Sequence, residues 1–287
     1  MTRWVVTGAG GQLGADLLHV LSGCDVVGLT RADLDITQPD TLTDALAVHR
    51  PDVVVNAAAW TDVDGAEADE AGAFRVNADG PAGLAAACRR LHARLVHVST
   101  DYVFAGDAAE PYPVDAPVAP RSAYGRSKAA GEAAVLASGA AAYVVRTAWV
   151  YGAVGGNFVK TMARLSRERD TVAVVDDQRG SPTWARDLAA GLVALADAAP
   201  PPGIYHCTSA GETTWCGFAR AVFAELGCDP DRVQPTTTAS YPRPAPRPAY
   251  SVLSDDAWRQ AGLPLLPDWR SALTTAFATV GASLRGR

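Results

Sequence analysis

The sequence contains few cysteines, no excess of basic residues and no long apolar run, and each shortage excludes a class of protein. The five cysteines lie far apart, without the paired spacings of a zinc site, and buried free thiols are expected at Cys24, Cys88, Cys207, Cys216 and Cys228. A net charge of −6 argues against a nucleic-acid surface held by counterion release. No apolar run approaches the roughly 20 residues that cross a bilayer.

No targeting segment is predicted at the N-terminus. The stretch MTRWVVTGAG passes directly from a strand-like run to a glycine turn at Gly8, which leaves no room for the parts of a secretory signal. With 48% hydrophobic and 20% charged residues, the composition is typical of a soluble globular protein. We therefore expect a cytoplasmic protein that binds neither membranes nor nucleic acid.

The first half of the chain alternates β-branched apolar runs with helical stretches. The predicted strands are 4–8, 25–30, 52–59, 94–100 and 142–150. The predicted helices between them are 12–22, 39–50, 67–77, 80–92 and 123–138. Such continuously apolar runs indicate strands that are buried on both faces of a parallel sheet. The pattern predicts an α/β fold with a Rossmann-type doubly wound parallel sheet.

After residue 150 the alternation becomes less regular. Helices are predicted at 156–168, 184–198, 214–226 and 269–281, with strands at 171–175 and 203–207 and a proline-rich segment at 241–254. We expect a nucleotide-binding domain formed by residues 1–150 and 179–204. The remaining residues, 151–178 and 205–287, are predicted to form a smaller C-terminal α/β lobe that binds the substrate.

Glycines mark the first turn from strand to helix, in the stretch TGAGGQLG at residues 7–14. Gly8 permits a tight turn, Gly11 lets backbone amides approach a pyrophosphate, and Gly14 lets the helix pack closely on the sheet. The N-terminus of the following helix attracts phosphate groups. A glycine pattern alone is weak evidence, but at the first turn of an alternating chain it predicts a dinucleotide site.

The end of the second strand bears on the choice of cofactor. An acid at this position would bind the 2′-hydroxyl of NAD, whereas an arginine suits the 2′-phosphate of NADP. Thr30 and Arg31 occupy the strand end, which favours NADPH, with NADH as the alternative if Arg31 is an ordinary loop charge. Asp35 and Ile36 follow late enough to lie under the adenine.

A hydroxyl, a phenol and an ammonium follow the glycine turn along the chain, and these are the groups that a carbonyl reduction would use. Ser99 and Thr100 end the fourth strand, where ligands of parallel sheets bind. Tyr124 and Lys128 are four residues apart on a helix that Ser122 is placed to cap and that Gly139 follows. Alone, this spacing usually means a packed tyrosine beside a solvated lysine.

In a reduction, the three groups would have different tasks. Tyr124 would donate a proton to the carbonyl oxygen, and Thr100 would donate a hydrogen bond to it. Lys128 would hold the nicotinamide ribose and, together with an oxidised nicotinamide, lower the pKa of the phenol. These residues resemble the signature of extended short-chain dehydrogenases/reductases.

Longer stretches resemble the dTDP-4-dehydrorhamnose reductase family. They are TGAGGQLG, DVVVNAAAWTDVDGAE, VNADGP, STDYVFAG, PYPVDAPVAPRSAYGRSKAAGE, RTAWVYG, NFVKTM, DDQRGSPT and RPAYSVLS. The resemblance covers nearly the whole chain. It implies an enzyme that uses NAD(P)H to reduce the 4-keto group of dTDP-4-dehydro-6-deoxy-L-mannose, which gives dTDP-L-rhamnose.

The resemblance, with the residues identified above, gives a set of expected sites. The catalytic residues are Thr100, Tyr124 and Lys128. The cofactor contacts are Gly8, Gly10, Gly11, Gln12, Leu13, Gly14, Arg31, Asp35, Ile36, Ala57, Ala58, Ala59, Asn77, Ser99, Tyr124 and Lys128. The substrate contacts are Thr61, Thr100, Asp101, Tyr102, Tyr124, Trp149, Asn157, Pro182 and Arg247. A sugar would stack on Trp149, and Arg247 would pair with the diphosphate.

Several of these residues have structural alternatives. Trp149 could pack the lobe, Arg247 could be an ordinary surface charge, and Asn77 could cap or break a helix. The acids at 62, 64, 67 and 69 lack matching His or Cys partners, so we expect them to stabilise a helix start rather than bind a metal. Some family members dimerise through magnesium, for which only Asp16 and Asp187 are placed here. A monomer or a homodimer is therefore expected.

Three other functions fit the sequence less well. The first is a related dTDP-4-keto-deoxysugar reductase of an antibiotic pathway, such as one that makes dihydrostreptose. The second is a non-catalytic regulatory subunit of methionine adenosyltransferase, against which the complete set of Thr100, Tyr124 and Lys128 argues. The third is an epimerase that recycles tightly bound NAD.

Overall fold

The strands and helices follow closely the order that the sequence predicts. A computed structural model describes residues 1–286. Its strands are β1 (Arg3–Thr7), β2 (Asp25–Leu29), β3 (Val53–Asn56), β4 (Arg94–Thr100), β5 (Ala142–Thr147), β6 (Val150–Tyr151), β7 (Val172–Val175), β8 (Arg179–Gly180), β9 (Thr183–Trp184), β10 (Gly203–His206), β11 (Thr213–Thr214) and β12 (Val233–Thr236). Its α-helices are α1 (Gln12–Val20), α2 (Pro39–Ala47), α3 (Val63–Ala68), α4 (Glu70–Phe74), α5 (Gly80–Leu91), α6 (Ala123–Ala137), α7 (Phe158–Glu168), α8 (Ala185–Ala198), α9 (Trp215–Glu225), α10 (Asp256–Gln260) and α11 (Trp269–Leu284).

Six parallel strands form the central sheet, in the order β2-β1-β3-β4-β5-β10. From β1 the chain first adds β2 on one side of β1 and then crosses to add β3 on the other side. The carboxyl ends of β1 and β3 therefore flank a crevice. Ligands of such sheets bind in this crevice. The predicted doubly wound parallel sheet is confirmed.

The sheet is covered on both faces, because successive side chains of a strand point to opposite sides. In β1, Trp4 and Val6 pack in a core with α1 and α8, represented by Leu17 and Leu188. Val5 packs in the other core, with residues of α2 and α5. This arrangement explains why the strands read as continuous apolar runs.

Two predicted boundaries differ from the structure near the crevice. The strand predicted at 52–59 ends at Asn56, whose Oδ1 accepts from the Thr7 hydroxyl at 2.7 Å and from the Ala58 amide at 3.2 Å. The helix predicted at 67–77 begins at Val63 and is interrupted at Asp69. Asp62 and Asp69 each cap a short helix by accepting an amide hydrogen three residues later.

A second core lies in the C-terminal lobe and joins α7, α9 and α11 to the β7–β12 pair. The division expected from sequence, with the lobe resuming at residue 205, falls inside β10 of the central sheet. Trp258, Leu263 and Leu266 also pack in the core under that sheet. The chain therefore returns to the nucleotide-binding part after it has entered the lobe.

The cysteines follow the expectation only in part. All five are free thiols, but Cys24 is exposed and Cys228 is half-buried, whereas Cys88, Cys207 and Cys216 are buried as predicted. Among residues 1–286, no helix combines the length and the hydropathy that a bilayer crossing requires.

Candidate active site

A cavity of about 560 Å³ opens at the crevice between β1 and β3. Nine of the predicted cofactor contacts line it: Gly8, Gly10, Gly11, Arg31, Asp35, Ile36, Ala57, Ala58 and Ala59. Thr61, expected from sequence to contact the substrate, lies in the wall of this cavity as well.

The glycine turn fits the predicted conformation. Gly8 has φ +69°, and a Cβ added there would come within 2.6 Å of the Ala58 nitrogen. A Cβ on Gly14 would come within 2.2 Å of the Gly8 oxygen, so the close packing of α1 on the turn requires glycine. Gly11 lines the cavity and is the cap residue of α1, whose first amides receive no side-chain cap.

The adenosine end of the cavity carries one exposed cation. The Arg31 side chain is 83% exposed and lies 3.7 Å from Asp35. The Asp35 carboxylate accepts from the Thr37 amide and hydroxyl, which lower its pKa. Arg31 therefore presents an exposed guanidinium at the wall of this cavity.

Tyr124 and Lys128 lie one turn apart on the buried face of α6. Ser122 caps this helix, as predicted, by accepting from the Gly125 amide at 3.1 Å. The Lys128 ammonium donates to the Val98 carbonyl at 2.6 Å. The Thr100 hydroxyl donates to Asp101 at 2.9 Å. The three predicted catalytic residues thus lie together at the carboxyl end of β4.

The predicted lowering of the phenol pKa by Lys128 is wrong for the protein chain itself. Burial raises the pKa of Tyr124 to about 12, although a hydrogen bond with Thr100 lowers it. Burial also lowers the pKa of Lys128 to about 8, although the negative charge of Glu132 raises it. Burial dominates because both groups are shielded from water. The phenol is accordingly protonated at neutral pH, the form that an acid needs.

A buried ion pair lies next to Lys128. Glu132 follows it by one turn on α6 and pairs with Arg146 of β5 at 2.7 Å, both side chains being less than 5% exposed. The Ser99 hydroxyl donates to the same carboxylate at 2.5 Å. Ser99 thus binds Glu132, and its expected contact with the cofactor stays a prediction. Sequence reasoning missed this pair because its members lie on different elements.

Asn77 binds the protein rather than facing the cavity. It lies on a π-helix, Arg75–Asp79, and is 1% exposed. Its side chain accepts from the Trp60 amide at 2.9 Å and donates to the Trp60 carbonyl and the Ser127 hydroxyl. Asn77 thus fixes the loop that lines the cavity, and its expected contact with the cofactor stays a prediction.

Gln12 and Asn157 also bind each other, although sequence assigned one to the cofactor and the other to the substrate. The Asn157 amide donates to Gln12 at 2.9 Å and to the Gly152 carbonyl at 2.8 Å, while its oxygen caps α7. Gln12 donates to the Val150 carbonyl at 3.0 Å. The pair connects the glycine-turn helix to the lobe.

A second cavity, of about 410 Å³, opens in the lobe. Tyr102 and Arg247, both expected at the substrate, line it together with Phe158, Trp215, Tyr241 and Arg243. Tyr102 also contacts the Tyr124 ring edge-on, with 5.6 Å between centroids. Tyr102 thus connects the lobe cavity to the Tyr124 ring.

The tryptophan that lines this cavity is Trp215. Trp149, the expected sugar platform, stacks on Trp215 with 3.6 Å between ring centroids. A Cβ added to Gly180 would come within 2.4 Å of the Trp149 ring. One face of Trp149 is therefore covered by another tryptophan. The stretch TTWCGF contained Trp215, but nothing in its spacing marked it as a ligand contact.

Three further expected contacts, Asp101, Pro182 and Leu13, are buried or half-buried in different places. Asp101 is 3% exposed, and burial raises its pKa to about 6. Pro182 is buried between β8 and β9, and Leu13 packs against the core under the sheet. Within residues 1–286, no group of three or more His, Cys, Asp or Glu side chains is arranged to hold a metal.

The parallel sheet, the glycine turn at its switch point and the Tyr-Lys pair beside Thr100 define an extended short-chain dehydrogenase/reductase. Residues 2–281 match the family described as RmlD substrate binding domain. The chain therefore belongs to this family, which includes the dTDP-4-dehydrorhamnose reductases.

Known relatives match almost end to end. A dTDP-4-dehydrorhamnose reductase of Streptomyces griseus is 52% identical over 96% of this chain and 93% of the relative. A dTDP-4-keto-6-deoxy-D-glucose reductase of Streptomyces niveus is 49% identical over 98% of both chains. A dTDP-4-dehydrorhamnose reductase of Bacillus anthracis, solved in complex with NADP, is 37% identical with a TM-score of 0.93, covering 97% of this chain and 99% of that one. The family expected from the sequence motifs is confirmed.

Proposed function

We propose that this protein is an NADPH-dependent reductase that converts the 4-keto group of dTDP-4-dehydro-6-deoxy-L-mannose to the alcohol of dTDP-L-rhamnose. One observation carries the proposal: the Tyr124 ring packs in one cluster with Trp60, which lines the crevice cavity, and contacts Tyr102, which lines the lobe cavity. Full-length similarity to reductases of such sugars supports it.

The crevice cavity fits a dinucleotide. A Cβ on Gly8 would strike the loop backbone, so only glycine leaves the turn open to a pyrophosphate. Gly10 and Gly11 line the cavity beside the start of α1, and Arg31 is exposed where a 2′-phosphate would lie. The hydride of the reduction comes from bound NADPH. NADH remains the weaker alternative.

The chain's own residues supply the proton and the positioning. Tyr124, protonated because burial raises its pKa to about 12, donates its proton to the carbonyl oxygen as that atom gains charge. Lys128 places its ammonium on the same helix face, where it would hold the nicotinamide ribose. Thr100 lies at the end of β4 and lowers the pKa of the phenol, although burial outweighs this effect.

The test is a spectrophotometric assay of NADPH oxidation with purified protein. The wild type should oxidise NADPH only when dTDP-4-dehydro-L-rhamnose is present, and Tyr124→Phe should lower kcat by roughly 100-fold or more, the scale of general acid catalysis. Unchanged activity in Tyr124→Phe would remove the catalytic assignment and favour a binding subunit. Protein that carries tightly bound NAD and needs no added reductant would indicate an epimerase.

A second substrate is favoured by the relative from Streptomyces niveus, which is named for a keto-deoxyglucose. A panel of dTDP-4-keto-6-deoxysugars, compared by kcat/KM, separates the two. Preference for a sugar other than dTDP-4-dehydro-L-rhamnose would place the protein among deoxysugar reductases of antibiotic pathways. The dTDP sugar is the partner in either case, and a cytoplasmic monomer or homodimer is the proposed setting.

A further inference from the structure

The acidic stretch at 62–69 contains one carboxylate that caps no helix. Asp62 and Asp69 are caps, and Glu67 accepts from the Ala123 amide at the start of α6. Asp64, in the first turn of α3, points instead to residues 242–248, whose sequence is PRPAPRP. We name residues 242–248 the arginine strap.

One carboxylate holds the whole strap. Asp64 Oδ2 accepts from Arg243 Nε at 2.9 Å and pairs with Arg247 at 2.9 Å. Asp64 Oδ1 accepts from the Ala245 amide at 3.2 Å. Because the prolines on either side of Ala245 have no N–H, this amide is the one backbone donor available between the two arginines. Asp64 therefore fixes both side chains and the backbone that joins them.

The two arginines border the lobe cavity. Arg243 and Arg247 both line it, and Tyr102, which lies against the catalytic phenol, lines it with them. A guanidinium carries five N–H hydrogens, more than a shared carboxylate can accept. The group of Asp64 and its two arginines keeps a net positive charge, which suits an anion with several oxygens.

We propose that Asp64 is a positioning residue that holds Arg243 and Arg247 for the diphosphate of a nucleoside diphosphate sugar, an inference that rests on the proposed function. Asp64 acts through the arginines and does not touch the reacting atoms. Although burial opposes it, hydrogen bonds from Ala245 and Arg243 lower the pKa of Asp64, so it stays charged at neutral pH.

The strap is also connected to the cofactor cavity. Asp62, two residues before Asp64, lines that cavity and caps α3. In helix α3, the N-cap residue Asp62 thus lines the cofactor cavity, and Asp64 in the first turn binds the arginine strap. Asp62 caps α3 through the Gly65 amide and makes this contact without the strap, and neither Asp64 nor the two arginines line the cofactor cavity. Displacing the strap should therefore weaken binding of the sugar nucleotide and leave binding of NADPH nearly unchanged.

The variant Asp64→Asn tests the proposal, because it keeps an acceptor of the same shape and removes the charge. We expect the Kd of dTDP, measured by titration calorimetry, and the KM of the sugar substrate to rise about ten-fold, equivalent to about 1.4 kcal/mol. The kcat at saturating sugar and the Kd of NADPH should stay within about two-fold. Asp64→Glu, which restores the charge, should recover part of the loss.

Glu225→Gln is the matched control. Glu225 pairs with Arg270 in the lobe and is 15% exposed, against 16% for Asp64. It lies outside the cavity lining, so this variant should bind dTDP as the wild type does.

Three results would overturn the proposal. Tighter dTDP binding by Asp64→Asn would mean that the carboxylate competes with the diphosphate. An unchanged Kd would mean that the arginines need no anchor, and an equal loss in Glu225→Gln would mean that any broken ion pair has this effect. If the wild type reduces no dTDP-4-keto sugar, the proposed function fails, while the dTDP titrations still decide the role of Asp64.

Discussion

Replacement of Lys128 by methionine should make the protein more stable in a pH-dependent way while it removes activity. Lys128 is 2% exposed, and burial lowers its pKa from 10.5 to about 8. Since one pKa unit corresponds to about 1.4 kcal/mol, the buried charge costs about 3 kcal/mol of folding free energy. Methionine has similar length and no charge, so it avoids this cost.

The sign of the pH dependence follows from the lowered pKa. Below pH 8 the folded and unfolded wild-type chains both carry the ammonium, so the full cost is present. Between pH 8 and 10.5 the unfolded chain binds more protons than the folded one, and wild-type stability rises. The part of the lost hydrogen bond to Val98 that is common to both protonation states of Lys128 cancels when the two pH values are compared, and the part that depends on the charge is already contained in the pKa shift.

The assay is urea unfolding of both proteins near pH 7 and near pH 10.5. The free energy of unfolding of Lys128→Met, relative to that of wild type, should be about 3 kcal/mol higher at the lower pH than at the higher pH. Its kcat/KM should fall by roughly 100-fold or more. A stability difference that is the same at both pH values would refute the claim that the ammonium is buried at a cost.

Three further changes test other parts of the site. Gly8→Ala places a Cβ within 2.6 Å of the Ala58 nitrogen at a positive φ, so NADPH affinity by fluorescence titration should fall at least about ten-fold, whereas Gly23→Ala, with nothing within 4 Å, should not change it. Arg31→Ala should raise the KM of NADPH about ten-fold and leave that of NADH unchanged; equal effects would show that Arg31 does not meet a 2′-phosphate. Glu132→Gln leaves its buried arginine partner unpaired and should lower the free energy of unfolding by about 3–5 kcal/mol in urea; a loss below about 1 kcal/mol would contradict this.

Local patterns in the sequence predicted the local structure well. The cap at Ser122 and the common face of Tyr124 and Lys128 depend on spacings of three and four residues, which a helix fixes by itself. The glycine turn depends on Gly8 and Gly14, whose need for space is a property of the turn. These features could be read without knowledge of the rest of the fold.

Contacts between distant residues could not be predicted in this way. Trp149 stacks on Trp215, and Gln12 binds Asn157 across 145 residues of sequence. A tryptophan or an asparagine that can contact a ligand can equally well contact another side chain, and the sequence does not distinguish the two cases. The sequence therefore assigned Trp149 and Asn157 to the substrate. The pKa of Tyr124 was misjudged for a related reason, because the cost of burial depends on everything packed around it.

The return of the chain to the central sheet at β10 determines how the protein can be divided. Gly203–His206 pairs with β5, and Trp258 completes the core on one face of the sheet. A fragment that stops at residue 200 would leave β5 as a bare edge and expose its apolar neighbours. The nucleotide-binding part therefore cannot be obtained as a fragment that ends before β10. During synthesis, the sheet becomes complete only after α7 and β7 of the lobe have been made, and the core beneath it only after Trp258.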